Sequence, residues 1–104
     1  MLNIWIGTGR VVRDATLAAT KSGKQICVFS IAVKRDRGEE TDFVDVVTWD
    51  RLAEFCAKQL RKGKLATVIG SLQAREYEDR DGNKRRAWEI NAQKVQITEW
   101  ENNE

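Results

Sequence analysis

Residues Thr41–Leu60, TDFVDVVTWDRLAEFCAKQL, decide the fold. The stretch opens with nine residues rich in β-branched and aromatic side chains, the composition of a strand. Phe43 and Trp49 stand six residues apart. Side chains alternate across a strand, so an even separation puts both rings on one face, together with Asp45. Two large rings and a charge make a poor core face and a good platform for a flat, charged ligand. Asp50 then has the side chain to cap a helix. Leu52, Cys56 and Leu60 recur every four residues, with Ala53 and Ala57 beside them, as one apolar stripe. Arg61 and Lys62 suit the negative end of the helix dipole, and Gly63 suits a left-handed stop. The expected elements are a strand over 41–49 and a helix over 51–61.

Working outward, the first strand is expected over 2–12, with Gly7 and Gly9 inside it as points of bending. Lys21-Ser22-Gly23-Lys24 reads as a turn, and a second strand follows over 25–34. Arg35 to Glu40 is a polar loop. Beyond the helix, a fourth strand covers 65–78. The turn at Asp79–Asn83 contains Asp-Gly, a hairpin signal, and leads to a fifth strand over 84–97. The order β-β-β-α-β-β describes an all-β, five-stranded antiparallel OB-fold barrel with one short helix between strands three and four.

Composition narrows the function classes. A chain of 104 residues supports one core, here an expected single domain over 1–98 with a short acidic end over 99–104. No apolar run approaches the roughly 20 residues of a membrane helix, and the first residues lack the features of a signal peptide. A cytoplasmic, nucleoid-associated location is the resulting expectation. Cys27 and Cys56 sit in apolar patterns and read as buried, reduced thiols. There is no histidine. That removes the usual general base and, with two cysteines, argues against zinc. Neither a cofactor nor a metal is expected, nor an enzyme. The carboxylates around Tyr77 (Glu76, Glu78, Asp79, Asp81) read as a solvated hairpin rather than a catalytic set. The last six residues carry three acids and no base, leaving 18 bases against 13 acids in residues 1–98. A basic body that displays rings on a strand points to single-stranded nucleic acid.

The chain resembles the bacterial single-stranded DNA-binding protein family over about residues 2–98. The matching pieces are Asn3-Ile-Trp-Ile-Gly-Thr-Gly9, Ser22-Gly23-Lys24, Phe29-Ser-Ile-Ala-Val33, Thr41 through Trp49, and Leu52-Ala-Glu54. Leu60-Arg-Lys-Gly63, Gly70-Ser-Leu-Gln-Ala-Arg75, Tyr77-Glu-Asp79, Asp81-Gly82 and Glu89-Ile90 follow. Their order and spacing, more than any one piece, carry the likeness. The resemblance implies OB-fold subunits, assembled as homotetramers with dimers as the alternative, that bind single-stranded DNA without sequence preference in replication, recombination or repair. It implies base stacking at Phe43, Trp49 and Tyr77, and basic residues at Arg51, Lys62, Arg75 and Arg85. Position alone adds Lys34, Arg35 and Arg86 as phosphate contacts. An adaptor of the primosome, acting mainly through proteins, is the alternative that the same fold allows.

The chain departs from the pattern in three places. The loop after strand two, Lys34-Arg-Asp-Arg-Gly38, holds no ring. Asp45 stands where some members carry arginine. The end, Asn102-Asn103-Glu104, lacks the acidic-hydrophobic tip that recruits replication proteins. Among the other tryptophans, Trp5 reads as core or a subunit contact, with Ile4 and Ile6 on the opposite face. Trp88 shares a face with Ile90 and Ala92 and reads as core. Trp100 has no reading beyond an oligomer contact.

Overall fold

The computed structural model describes residues 1–98; the expected acidic end and Trp100 lie outside the described residues. Six strands and one helix follow in the order β1 (Trp5–Val11), β2 (Thr16–Ala19), β3 (Gln25–Lys34), β4 (Thr41–Trp49), α1 (Asp50–Gln59), β5 (Leu65–Glu78) and β6 (Lys84–Ile97). The last four of the five expected strands appear with the expected bounds. The sheet runs β1-β5-β6-β4-β3-β2, and an extra β1–β3 pairing closes β1, β5, β6, β4 and β3 into a ring with β2 on its edge. This is the expected OB-fold architecture, with two refinements. β2 is a short additional strand, paired only to the first half of β3. And β4 meets β6 in parallel, at Val46↔Ile90 and Val47↔Asn91, while every other pairing is antiparallel.

β1 closes the ring because it serves two partners. Residues Trp5–Arg10 pair with β5, and Arg10 and Val11 pair with β3. Gly9 marks the changeover: a Cβ there would lie 2.5 Å from the Ala32 carbonyl oxygen. Only a residue without a side chain lets the two backbones approach this closely. The expected bend in strand one thus has a physical cause, although the strand is shorter than expected. Before it, the Asn3 side chain continues the ladder, donating to the Leu72 carbonyl at 2.8 Å and accepting from the Leu72 N–H at 3.0 Å. Trp5 packs against the core over Gly7, where a side chain would run into its ring.

Inward residues of the ring, among them Val11, Phe29, Ile31, Val46, Val68 and Ile90, form one buried cluster. α1 packs against it with Ala53, Cys56 and the following Leu60 buried, and with Leu52 and Ala57 half-buried, as the apolar stripe requires. Both cysteines are free and fully buried. Burial pushes the Cys27 thiol up, and burial together with the neighbouring Cys27 pushes Cys56 up to about 12. No helix of the described residues is long and apolar enough to cross a membrane.

The helix ends differ from expectation. Asp50 makes no side-chain cap; Trp49 is the N-cap residue and makes none either. Asp50 instead takes a left-handed φ of 56°, a conformation that aspartate tolerates better than most residues. The reversal from strand to helix happens there, in the backbone. At the other end α1 stops at Gln59, capped by the Leu60 N–H on the Cys56 carbonyl at 2.9 Å. Gly63, at φ 90°, belongs to the turn that follows rather than to the helix end.

The β5–β6 hairpin is longer than the ring needs and projects from it. Its turn is organised by Asp79. The carboxylate accepts from the Asp81 and Asn83 N–H groups at 3.0 and 2.9 Å and from Arg85 Nε at 2.8 Å. Those donors, Arg85 first, hold the Asp79 carboxyl below the usual aspartate range.

Two outcomes are expected. Gly9→Ala should lower stability in urea unfolding by about 1–3 kcal/mol, the cost of overpacking a tight contact; an unchanged midpoint would contradict the crossing described. The stabilisation from a carboxyl with a lowered pKa is present above its unfolded value and is lost as pH falls through the folded value. The Asn83 amide shift should therefore hold through the ordinary carboxylate range and move only below about pH 4. A midpoint above that range would contradict the turn geometry.

Candidate nucleic-acid interface

β4 builds the candidate site because alternation turns Val44, Val46 and Thr48 toward the core and leaves the other parity to the outer face. Val46 and Thr48 are buried and Val44 is half-buried, so Phe43, Asp45 and Trp49 lie on the outward face; Val47 shares their parity but is itself buried, at 4% exposure. Phe43 is 68% exposed and Trp49 36%. At about 3.3 Å per residue, the two rings stand roughly 20 Å apart along the strand. Both are on the exposed face that the even spacing requires.

Cross-strand register carries this face over the neighbouring strands. On β3, Ile26, Val28, Ser30, Ala32 and Lys34 lie opposite Trp49, Val47, Asp45, Phe43 and Thr41. On the other side, Val47 pairs with Asn91, and Asn91 with Ser71. From Ser71, alternation brings Gln73, Arg75 and Tyr77 to the same side, with Arg85 opposite Tyr77. The three candidate stacking residues therefore share one face. β4 and β6 pair at only two positions. Towards Phe43 the hairpin leaves β4, so that Phe43 and Tyr77 stand on separate arms rising from the Val47–Asn91 contact. Tyr77 is 44% exposed. The Arg75 guanidinium stands over its ring, 5.4 Å from the centroid, a cation–π contact that orients the ring.

The seven candidate cations divide by what they already touch. Arg35 donates to both carboxylate oxygens of Asp42 at 3.0 Å and meets Glu40 at 2.7 Å. The first contact raises the Arg35 pKa and lowers that of Asp42. Arg75 is held by Glu89 at 2.8 Å, and Arg85 by Asp79 at 2.8 Å. Arg86 pairs with Glu76 in the register and so lies on the opposite face of the hairpin, away from Tyr77; its guanidinium is 3.9 Å from the Glu76 carboxylate. Lys34, Arg51 and Lys62 are exposed and their side chains meet no acid among the described residues. Lys34 lies on the candidate face beside Phe43; Arg51 opens the helix after Trp49. The Lys62 backbone is anchored, its N–H donating to Asp14 at 2.8 Å.

Trp88 departs from its reading as core. It shares an inward face with Ile90, but the hairpin has left the ring at that point, and Trp88 is 56% exposed. Parity identified its face correctly; only the length of the projection shows that the face is uncovered there. Val28, 56% exposed beside Val47, is a face residue that sequence reasoning missed. Its pairing opposite an outward strand position was the available signal. Among the described residues no group of His, Cys, Asp and Glu could hold a metal ion.

Comparison with known proteins agrees with this architecture. The sequence pattern of the Single-strand binding protein family matches residues 2–98. A Single-stranded DNA-binding protein of Caldanaerobacter subterraneus subsp. tengcongensis is 39% identical over 95% of this chain and 69% of its own length. Single-stranded DNA-binding protein A of Bacillus subtilis is 41% identical over 98% of this chain and 62% of its own. Single-stranded DNA-binding protein 2 of Listeria monocytogenes is 39% identical over 99% and 68%. The chain thus spans about two thirds of the length of these relatives. With the match covering nearly all of the described residues, this chain belongs to the Single-strand binding protein family.

Proposed function

We propose that the protein binds single-stranded DNA on the outward face of β3, β4, β6 and β5, coating and protecting the strand in replication, recombination or repair. The observation that carries this reading is the shared exposed face of Phe43, Trp49 and Tyr77. Every base has a π-face, so rings bind strands with little regard to sequence, at about 1–3 kcal/mol per stacked base. Lys34, Arg51 and Lys62 are the cations available to phosphates. Arg35, Arg75 and Arg85 must first leave or share an acid. Arg86 serves the face only if the strand rounds the hairpin. The protein is a binding protein rather than an enzyme, consistent with its family, and the primosomal adaptor reading is not favoured by its relatives. We place it in the cytoplasm with the nucleoid, where such strands arise.

A homotetramer is the proposed assembly, built from dimers through β1. Ile4 and Ile6 are each 64% exposed, and Ile6 lies opposite Ile69 on β5. The second edge of β1 is paired only at Arg10 and Val11. An apolar row beside an open strand edge is a surface that proteins normally cover.

Tryptophan fluorescence should quench as oligo(dT) is added, and Trp49→Ala should lose most of the quench and weaken binding about 10- to 100-fold. Wild-type affinity in a Phe43→Ala, Trp49→Ala double variant would refute the stacking site. At about −0.7 per contact, three available cations give a log affinity against log salt slope near −2 per subunit, whereas seven would give about −5; a slope near zero would refute the phosphate contacts. In light scattering, the wild type should run as a multiple of the 11.9 kDa chain and Ile6→Asp as a smaller species. A monomeric wild type would refute the assembly.

A further inference from the structure

Asp45 is set apart from the other acids around this face. Among the described residues, the outward positions of β3, β4, β6 and β5 that form it hold two acids, Asp45 and Glu89. Glu89 is neutralised by Arg75 at 2.8 Å. Asp42 and Asp79, at its margins, are held by Arg35 and Arg85. Asp45 meets no cation among the described residues. It is exposed, and one of its oxygens accepts a 2.7 Å hydrogen bond from the Ser30 hydroxyl directly across the strand pair. The other oxygen has no protein partner among the described residues. Ala32, a small residue, stands opposite Phe43 and leaves room beside that ring.

We infer that Asp45, held by Ser30, is a base-edge acceptor that makes binding at this face depend on base identity, favouring a guanine near the Phe43 position over a thymine. The inference rests on the strand-binding reading above. A phosphate set against this unpaired carboxylate is repelled. Bases laid flat on Phe43 and Trp49 avoid that contact by turning the phosphates outward, which leaves a base edge to meet Asp45. In a single strand that edge is the unpaired Watson–Crick edge. A carboxylate only accepts hydrogen bonds. Guanine offers its N1–H and N2 amino group side by side, matched to a carboxylate. Thymine offers one N–H between two carbonyl oxygens, both of which face the carboxylate with like partial charge. Cytosine and adenine each offer an amino group beside a ring acceptor and fall between.

The test compares oligo(dT) with strands of equal length in which every third thymine is replaced by guanine or by hypoxanthine, which lacks the 2-amino group. Wild-type protein should prefer the guanine strand by about fivefold or more, the lower bound for a bidentate base contact, and hypoxanthine should recover only part of that preference. Guanine also stacks more strongly than thymine, so the deciding quantity is the change in the ratio on mutation. Asp45→Ala should cut the guanine-to-thymine ratio at least threefold while tightening oligo(dT). Asp45→Arg should tighten all three strands and abolish the hypoxanthine difference. Unchanged melting of the variants, expected for an exposed residue, establishes that they fold. The same ratio in wild type and Asp45→Ala would overturn the inference while leaving strand binding intact. Failure of the wild type to bind any of the strands would instead overturn the strand-binding reading.

Discussion

Thr48 is fully buried, and its hydroxyl donates at 2.8 Å to the carbonyl of Cys27, the residue paired with it on β3. A buried hydroxyl without a partner is costly, so this bond strongly favours one register of β3 against β4. Everything on the outer surface follows from that register. A slip by one residue moves Thr48 to solvent and drives Phe43, Asp45 and Trp49 into the core. The same pairing sets Ser30 against Asp45 and Ala32 against Phe43, so it determines what stands beside each exposed ring. The core thus positions the candidate face by taking Val44, Val46 and Thr48 from the alternation.

Most of the fold was legible because the signals were local and strong. The 3.6-residue stripe of α1, the Asp-Gly turn and the length of β5 and β6 each left one reading. β2 escaped because Thr16–Ala19 is short and exposed throughout, so there is no alternation to see; its partner, the first half of β3, creates it. The helix start departs from the expected cap for a related reason. Asp50 has the side chain of a cap but adopts a left-handed backbone, because the chain must reverse immediately after Trp49. Capping preference is a local tendency, and the tertiary path overrode it.

The site was legible in part. Parity alone placed Phe43, Asp45 and Trp49 together, since period two needs no tertiary information. It could not say which cations were already engaged. Arg35 is closed by Asp42 seven residues away, and Arg75 by Glu89 fourteen away on the neighbouring strand; only the register reveals the second pair. Nor does it show where a face stops being covered. Trp88 keeps the parity of Ile90 but stands beyond the ring, whereas Ile90 lies within it. Once the pairs are drawn, the face is less basic than its residue list. Under the proposed function, rings would provide most of its attraction and three cations most of its free positive charge, and one unpaired carboxylate would tune its selectivity.

The most direct measurement of the central claim is the set of backbone amide shifts that move when unlabelled oligo(dT) is added to isotope-labelled protein. The largest movements should fall on the outward register set, from Val28 and Ser30 across Asp45 and Trp49 to Arg75 and Tyr77, with the β1 positions Ile4 and Ile6 and the far hairpin face at Leu72 and Trp88 little changed. Movements centred on Leu72, Arg86 and Trp88, with Phe43 and Trp49 still, would put the strand on the other face of the hairpin and contradict the site described.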